Sequence, residues 1–357
     1  MTLSQIEAHD LRNFESVQLR PSPRLNFLVG PNASGKTTLL EAIFLLSRGR
    51  SFRTAQPRQL IRFGQPALTV AGRVTTAFGQ TIPVGIRIAR GAREIHLAGR
   101  PVHSSAELVR AFPVVIIQPA AVALLEGAPK ARRQFLDFGA FHDDIDYLDH
   151  WRRYIKALGQ RNALLREKRL RELAPWNHEL ARYGTIVCEA RQRYVERLEP
   201  LFRETAGRFL ANPRFELRSL PGWDMAQPLA AVLEQEVAAD LRYGHTQFGP
   251  HKGDFSVALD GRPVKAYLSR GQMKLLVYAL LLAQAQLLEA RTGIEACVLI
   301  DDVASELDDE HRRRLLDLLG ERPSQCFITA TARRAVEEAL GGDAALFRVE
   351  HGQILPS

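Results

Sequence analysis

Residues 30 to 37 read GPNASGKT and fill every fixed position of the phosphate-binding pattern G-x-x-x-x-G-K-[ST]. Gly30 and Gly35 free the backbone to turn its amides inward on a β-phosphate, with Pro31, Asn32, Ala33 and Ser34 as the intervening cradle. Lys36 neutralises β- and γ-oxygens, and Thr37, followed by Thr38, brings a hydroxyl to Mg²⁺. The segment CVLIDD (297 to 302) supplies the second half of such a site, an apolar run ending in acid. Asp301 would hold Mg²⁺ through water, and Asp302 would orient or deprotonate the attacking water. Lys36, Asp301 and Asp302 are thus the candidate catalytic set, with ATP and Mg²⁺ as the implied cofactors.

A third segment, LSRGQ (268 to 272), opens a helix. Free N–H groups and the helix dipole at Ser269, Arg270, Gly271 and Gln272 would make a second anion site. The same residues also describe a plain serine N-cap. One triphosphate needs one cradle, so a second phosphate-facing helix start makes sense if it closes on the nucleotide of another subunit. Nucleotide would then be the glue of a homodimer.

These residues need elements to hold them. LNFLV (25 to 29) predicts a strand ending at Gly30, and residues 37 to 46 predict the helix that follows. Segments 68 to 75, 81 to 89, 94 to 98 and 101 to 103 read as short strands of an antiparallel sheet, and FPVVIIQP (112 to 119) as a buried strand. From Leu148 the pattern changes. Leu148, Trp151, Ile155, Leu158, Asn162 and Leu165 form a coiled-coil-type seam on a long helix that Pro175 ends. A second helix from Trp176 to about Leu210 carries Leu180, Tyr183, Val187, Ala190, Tyr194, Leu198 and Leu201 on one face, which predicts an antiparallel pair. FSVALDGRPVKAY predicts a hairpin turning at Asp260 and Gly261. A helix over 271 to 290, strands at 296 to 300 and 325 to 329, and a helix near 308 to 319 resume the strand and helix alternation. The expected fold is therefore α/β: an ATPase head assembled from residues 1–125 and 244–357, with a mostly helical lobe, 126–243, inserted between them.

Composition narrows the class. The chain has 357 residues, 46% of them hydrophobic, enough for two domains. Cys188, Cys297 and Cys326 lie far apart without metal-ligand spacing and read as buried thiols of a reducing compartment. Glu7, Asp10, Arg12 and Glu15 stand where a signal peptide needs an apolar run, and no stretch reads as a membrane span, so the expected location is cytoplasmic with no membrane partner. A net charge of +8 and a pI near 9.7 favour a polyanionic partner. Arg48, Arg50, Arg53, Arg58 and Arg62 after the first helix, and Arg152, Arg153, Lys156, Arg161, Arg166, Lys168 and Arg169 on the long helix, would contact DNA phosphates or simply form solvated faces. Arg132 and Arg133 could be interfacial. Arg12 and Asn13 would touch nucleotide or form an ordinary turn.

LSRGQ resembles the signature motif of ATP-binding-cassette and SMC-like ATPases, and DDVASELD (301 to 308) resembles their Walker B and D-loop. More narrowly, LRNF (11 to 14), GKTTLLEAIFLLSRGRSFRT (35 to 54), LIRFG (60 to 64), RRQFLD (132 to 137), QRNALL (160 to 165), GPHKGD (249 to 254) and LIDDVASELD (299 to 308) follow the order and approximate spacing of the RecF family of bacterial recombination mediators. The resemblance spans nearly the whole chain. It implies a DNA-binding protein that dimerises on ATP, hydrolyses it slowly, and works with RecR and RecO in loading RecA at gapped or junction DNA. It implies further that Ser269 and Gly271 meet the partner subunit's γ-phosphate, that Asp308 couples the two sites, and that Gln118 occupies the Q-loop position.

The chain departs from the family pattern in places. Ala120 and Ala121 stand where acids are usual after Pro119; Lys252 and Gly253 replace Arg and Asp; and Met273 and Lys274 end the signature. No histidine follows the FIT strand, which leaves Thr329 or Thr331 for the switch position. Asp302 is one methylene shorter than the transporters' glutamate, which predicts slow turnover. A transporter subunit would need a Gly-Gly signature and a switch histidine, and an SMC protein far longer arms. A small-molecule P-loop kinase would give LSRGQ no role.

Overall fold

The computed structural model describes residues 1–76, 79–210, 214–303, 307–336 and 344–356. The chain forms two compact units, Met1–Ala121 with Leu288–Ser357, and Val122–Leu287. The second unit therefore includes residues 244–287, which the sequence reading groups with the ATPase head.

The first unit opens with β1 (Thr2–Leu11), β2 (Phe14–Leu19) and β3 (Leu25–Val29), followed by the glycine loop and α1 (Lys36–Arg48). Next come β4 (Ala67–Thr75), β5 (Thr81–Ala89), β6 (Ala92–Leu97), β7 (Arg100–Pro101) and β8 (Val114–Ile117). The antiparallel sheet is larger than the sequence suggests, because β1 and β2 join it in the order β2-β1-β4-β5-β6-β7. α1 is buried along nearly its whole length, which accounts for its almost unbroken apolar run. Leu39, Leu40, Ile43 and Leu46 share one core with Leu3 and Ile6 of β1 and Val70 of β4.

In the second unit, α2 (Tyr147–Arg166) packs on α3 (Leu173–Phe209), as the two periodic segments require. The seam itself lies one residue away from the expected one. Tyr147, Tyr154, Ala157, Arg161 and Leu164 are buried with Leu165, whereas Ile155 is 42% exposed. The period is right and the phase is wrong, because tyrosines and an arginine carry the buried face through hydrogen bonds that an apolar count ignores. Pro175 does not end α2 but sits in the first turn of α3, where proline is tolerated. α2 closes instead at Lys168, whose φ is 58°, with Arg169 N donating to the Leu164 carbonyl at 3.0 Å. The facing side of α3 agrees with expectation except that Phe202, not Leu201, is buried.

β9 (Phe215–Leu220), β10 (Asp254–Leu259) and β11 (Arg262–Pro263) form a small sheet. Asp260 and Gly261 both take positive φ, 49° and 75°, as a two-residue hairpin turn demands. α4 (Arg270–Thr292) is long and apolar enough to pass for a membrane span, contrary to the sequence reading that no stretch does. It is a core helix: 72% of its most apolar window is buried.

β12 (Cys297–Ile300), α5 (Asp309–Gly320), β13 (Cys326–Ala330), β14 (Ala345–Glu350) and β15 (Gln353–Pro356) complete the first unit. Its second sheet runs β15-β14-β3-β13-β12-β8, with β14, β3, β13, β12 and β8 parallel. Strands from both ends of the sequence thus alternate in one sheet. Their carboxyl ends release Gly30, Thr331, Asp301 and Gln118 at one edge, where ligands of open parallel sheets bind.

Candidate nucleotide-binding site

At that edge lies a cavity of about 360 Å³, lined by Asn32, Ala33, Gly35, Lys36, Thr37, Thr38, Asp301, Asp302, Thr329 and Thr331, and also by Arg12, Asn13 and Arg53. The glycines are required by their surroundings. A Cβ on Gly30 would stand 2.0 Å from the Val349 carbonyl oxygen, and Gly35 combines a φ of 118° with the Phe14 ring at 2.7 Å. The loop is held from behind as well, by Gly352 N donating to the Ser34 carbonyl at 3.1 Å. Arg12, Ala33 and Asp302 all take left-handed backbone conformations, with φ of 51°, 63° and 56°. Three strained non-glycine residues around one cavity is the clustering found at functional sites.

Lys36 is buried and curls back over the loop, its Nζ donating to the carbonyls of Gly30 at 2.7 Å and Pro31 at 2.8 Å. Burial pushes its pKa down, and the charges of Asp302 and Asp301 push back. Thr37 Oγ1 lies 2.9 and 3.1 Å from the two carboxylate oxygens of Asp301. Asp301 Oδ1 also accepts from the hydroxyl of the fully buried Thr329 at 2.9 Å, and Thr329 Oγ1 in turn accepts from Asp302 N at 2.7 Å. Thr329 therefore ties the two acids together, while the exposed Thr331 faces the cavity. A hydroxyl and a carboxylate side by side are hard oxygen donors of the kind Mg²⁺ takes when phosphates complete its shell.

The sequence reading misses Glu41. It lies one turn beyond Thr37, fully buried, and receives Arg12 through Nε and Nη2, the latter at 2.8 Å, together with the Ser51 hydroxyl. Arg53 Nη1 stands 3.7 Å from the same carboxylate. One buried acid thus aims two arginines along the cavity wall. Its signal in the sequence is a lone charge inside TTLLEAIFLL. Arg53, read as a DNA contact, belongs to this cavity, and the turn-forming Arg12 and Asn13 line it too.

Gln118, Asp308, Ser269, Arg270, Gly271 and Gln272 are not among the lining residues. Gln118 follows β8, which pairs with β12, the strand that ends just before Asp301. Asp308 caps α5, accepting from His311 N at 2.9 Å. Ala304, Ser305 and Glu306 of the D-loop-like segment lie outside the described residues. Ser269 and Gln272 form a reciprocal capping box at the start of α4: Gln272 N donates to Ser269 Oγ at 3.3 Å, and Ser269 N to Gln272 Oε1 at 2.9 Å. All four signature residues are exposed.

Several basic residues read as DNA contacts have structural duties. Arg161 is fully buried, bonded to Asp240 at 2.6 Å, Asn177 at 2.7 Å and Thr246 Oγ1 at 2.7 Å. Arg62 pairs with Asp10 at 3.0 Å, Arg153 donates to the Tyr183 hydroxyl at 2.8 Å, and Arg48 donates to the Val114 carbonyl at 3.0 Å. Of the pair that could be interfacial by sequence, Arg132 grips Asp254 through Nε at 2.7 Å and Nη2 at 2.9 Å, and Arg133 donates to the Gly253 carbonyl at 3.2 Å. Periodicity counts such charges as surface because it cannot see their partners. Arg50, Arg58, Lys156, Arg166 and Lys168 are exposed.

The family model for the RecF/RecN/SMC N terminal domain matches residues 2–354. The DNA replication and repair protein RecF of Pseudomonas fluorescens is 41% identical over 360 residues, covering 99% of this chain and 98% of that protein. Its namesake from Vibrio parahaemolyticus is 38% identical over 356 residues, covering 99% of each. A solved structure of the recombination mediator protein RecF with ATP, from the RecFOR pathway, superposes with a TM-score of 0.89 at 29% identity, covering all of this chain and 97% of that one. An Smc head bound to the C-winged helix domain of ScpA shares the fold, with a TM-score of 0.62 at 15% identity over all of this chain and 98% of that one.

Proposed function

This chain belongs to the RecF family of DNA replication and repair proteins, and on that premise we propose that it is an ATP-gated DNA clamp of recombinational repair. It binds ATP with Mg²⁺, dimerises on the nucleotide, engages DNA at single-strand gaps and junctions, and with RecR and RecO promotes RecA loading. Slow hydrolysis, stimulated by DNA, resets it.

The observation that carries this reading is the Thr37–Asp301–Thr329 relay beside the glycine loop, paired with an exposed Ser269 cap on a separate helix. Lys36, now donating to two loop carbonyls, exchanges these neutral acceptors for anionic β- and γ-phosphate oxygens. Thr37 and Asp301 would hold Mg²⁺, which would draw charge from the phosphate oxygens. Thr329 aims Asp301 through its hydroxyl, and Asp302 positions the attacking water. Arg12, Asn13 and Arg53 face the rest of the nucleotide, and Thr331 is the exposed hydroxyl for the switch position. Ser269 and Gly271 close on the γ-phosphate held by the partner subunit, Asp308 couples the two sites, and Gln118 reads γ-phosphate and Mg²⁺ from the end of β8.

Sedimentation of the protein with and without ATP·Mg²⁺ and gapped duplex DNA tests the proposal. The expected result is a monomer that becomes a DNA-bound dimer only with ATP. Lys36→Ala should weaken ATP binding by about 100-fold, the equivalent of one strong charge-assisted bond, and abolish both responses. A protein that binds ATP but stays monomeric with and without DNA would overturn the clamp and point to a small phosphoryl acceptor.

A further inference from the structure

A second cavity, of about 450 Å³, lies beyond the C-terminal end of α1 and is lined by residues 49 to 55 together with Pro57, Leu60, Ile88 and Arg93. Its size falls in the range of built ligand sites. Among the described lining residues are three arginines, Arg50, Arg53 and Arg93, and no acid; Glu41 behind the wall stands 3.7 Å from Arg53, which leaves Arg50 and Arg93 to favour an anionic occupant. Its floor is apolar: Leu60 and Ile88 are buried, and beside them is the half-buried Phe52 ring. That ring is held edge-on against Phe44, with centroids 5.4 Å apart and planes at 81°. The wall is also set in advance. Ser51 Oγ accepts from Arg53 N at 2.9 Å and Thr54 N at 3.1 Å, and Arg93 Nη1 donates to the Gly49 carbonyl at 2.9 Å.

An aromatic ring and cations around an apolar floor is the chemistry that takes one nucleotide unit, the base stacking and the phosphate paired. We propose that this cavity receives a single unpaired nucleotide of a DNA strand, its base on Phe52 and its phosphate between Arg50 and Arg93. The inference rests on the DNA-clamp reading and adds to it a residue-level reason for preferring gaps over continuous duplex. Arg53 lines the ATP cavity as well and is therefore left intact in the test.

The experiment compares binding of the full-length protein, with ATP·Mg²⁺, to a gapped duplex carrying 2-aminopurine in the gap and to a continuous duplex of equal length. Phe52→Leu keeps an apolar side chain on Phe44 and removes the stacking face. It should bind the gapped DNA about tenfold more weakly, lose 2-aminopurine quenching, and bind duplex and ATP as before. Arg50→Ala with Arg93→Ala removes one phosphate contact and should weaken binding of gapped DNA and lower the salt slope by about one. Wild-type binding to gapped DNA with no change in Phe52→Leu would overturn the nucleotide site and leave the clamp standing; no DNA binding by the wild type would overturn both. Quenching of free 2-aminopurine nucleotide without quenching in the gap would assign the cavity to a small nucleotide and refute the DNA assignment.

Discussion

His251 shows how a single residue of the family-like GPHKGD segment is set by its neighbours rather than by the segment. Its Nε2 is 2.9 Å from the Thr246 carbonyl, which can only accept, so Nε2 carries the proton and Nδ1 accepts from the Tyr154 hydroxyl at 2.6 Å. Burial lowers the imidazole pKa to about 4; the bond to Thr246 opposes this, and Lys252 and Arg133 add to it. In the unfolded chain the ring takes its proton near pH 6.5, so between pH 6.5 and 4 the unfolded state binds more protons. Stability from this group is complete above about pH 6.5 and is lost as the pH falls toward 4. Urea midpoints should drop between pH 7 and pH 5 by the equivalent of about 2 kcal/mol, and His251→Gln should flatten that slope. A variant with the wild-type pH dependence would show that other groups control it.

At the scale of an element, the start of α4 has two possible employments, capping its own helix and meeting a partner's phosphate. The capping box between Ser269 and Gln272 is plain in the structure. Substitutions separate it from the proposed phosphate contact. Ser269→Asp preserves a good cap, so stability should change by less than about 0.5 kcal/mol, yet it sets a negative charge where the γ-phosphate would arrive. ATP binding should persist while ATP-dependent dimerisation is lost in a gel-filtration assay. Ser269→Arg should lose dimerisation too, with about 1 kcal/mol of cap stability besides. Normal dimerisation by Ser269→Asp would leave the motif as a cap and nothing more. α2 carries a related lesson. Its heptad spacing was readable, but its phase was decided by Tyr147, Tyr154 and Arg161; Tyr154 meets His251, and Arg161 meets Asp240 and Thr246, all far along the chain.

For the whole molecule, the net charge of +8 is less available to a polyanion than the count suggests. Arg132 and Arg161 are spent on internal ion pairs with Asp254 and Asp240, and Arg12 is bound to Glu41. The exposed cations that remain still predict sequence-tolerant, salt-dependent affinity. If six phosphates are contacted, raising salt from about 50 to 200 mM should weaken DNA binding on the order of 10³-fold. A change of less than about twofold in a titration by fluorescence anisotropy would argue against phosphate contacts as the source of affinity.

Local chemistry was legible from the chain alone wherever the constraint is itself local. GPNASGKT announces a phosphate loop and Gly35 meets a local demand for positive φ, CVLIDD announces a buried strand ending in acid, and Asp260-Gly261 dictates a tight hairpin. Tertiary structure decided what depends on residues distant in sequence. It brought Asp301 to Thr37 across 264 positions, made Thr329 the link between two acids, and turned Glu41 into the anchor of Arg12. It also withdrew Arg161 from the surface. Periodicity records which face of an element is apolar; whether a charge on that face is solvated or paired is settled only when the opposing element arrives.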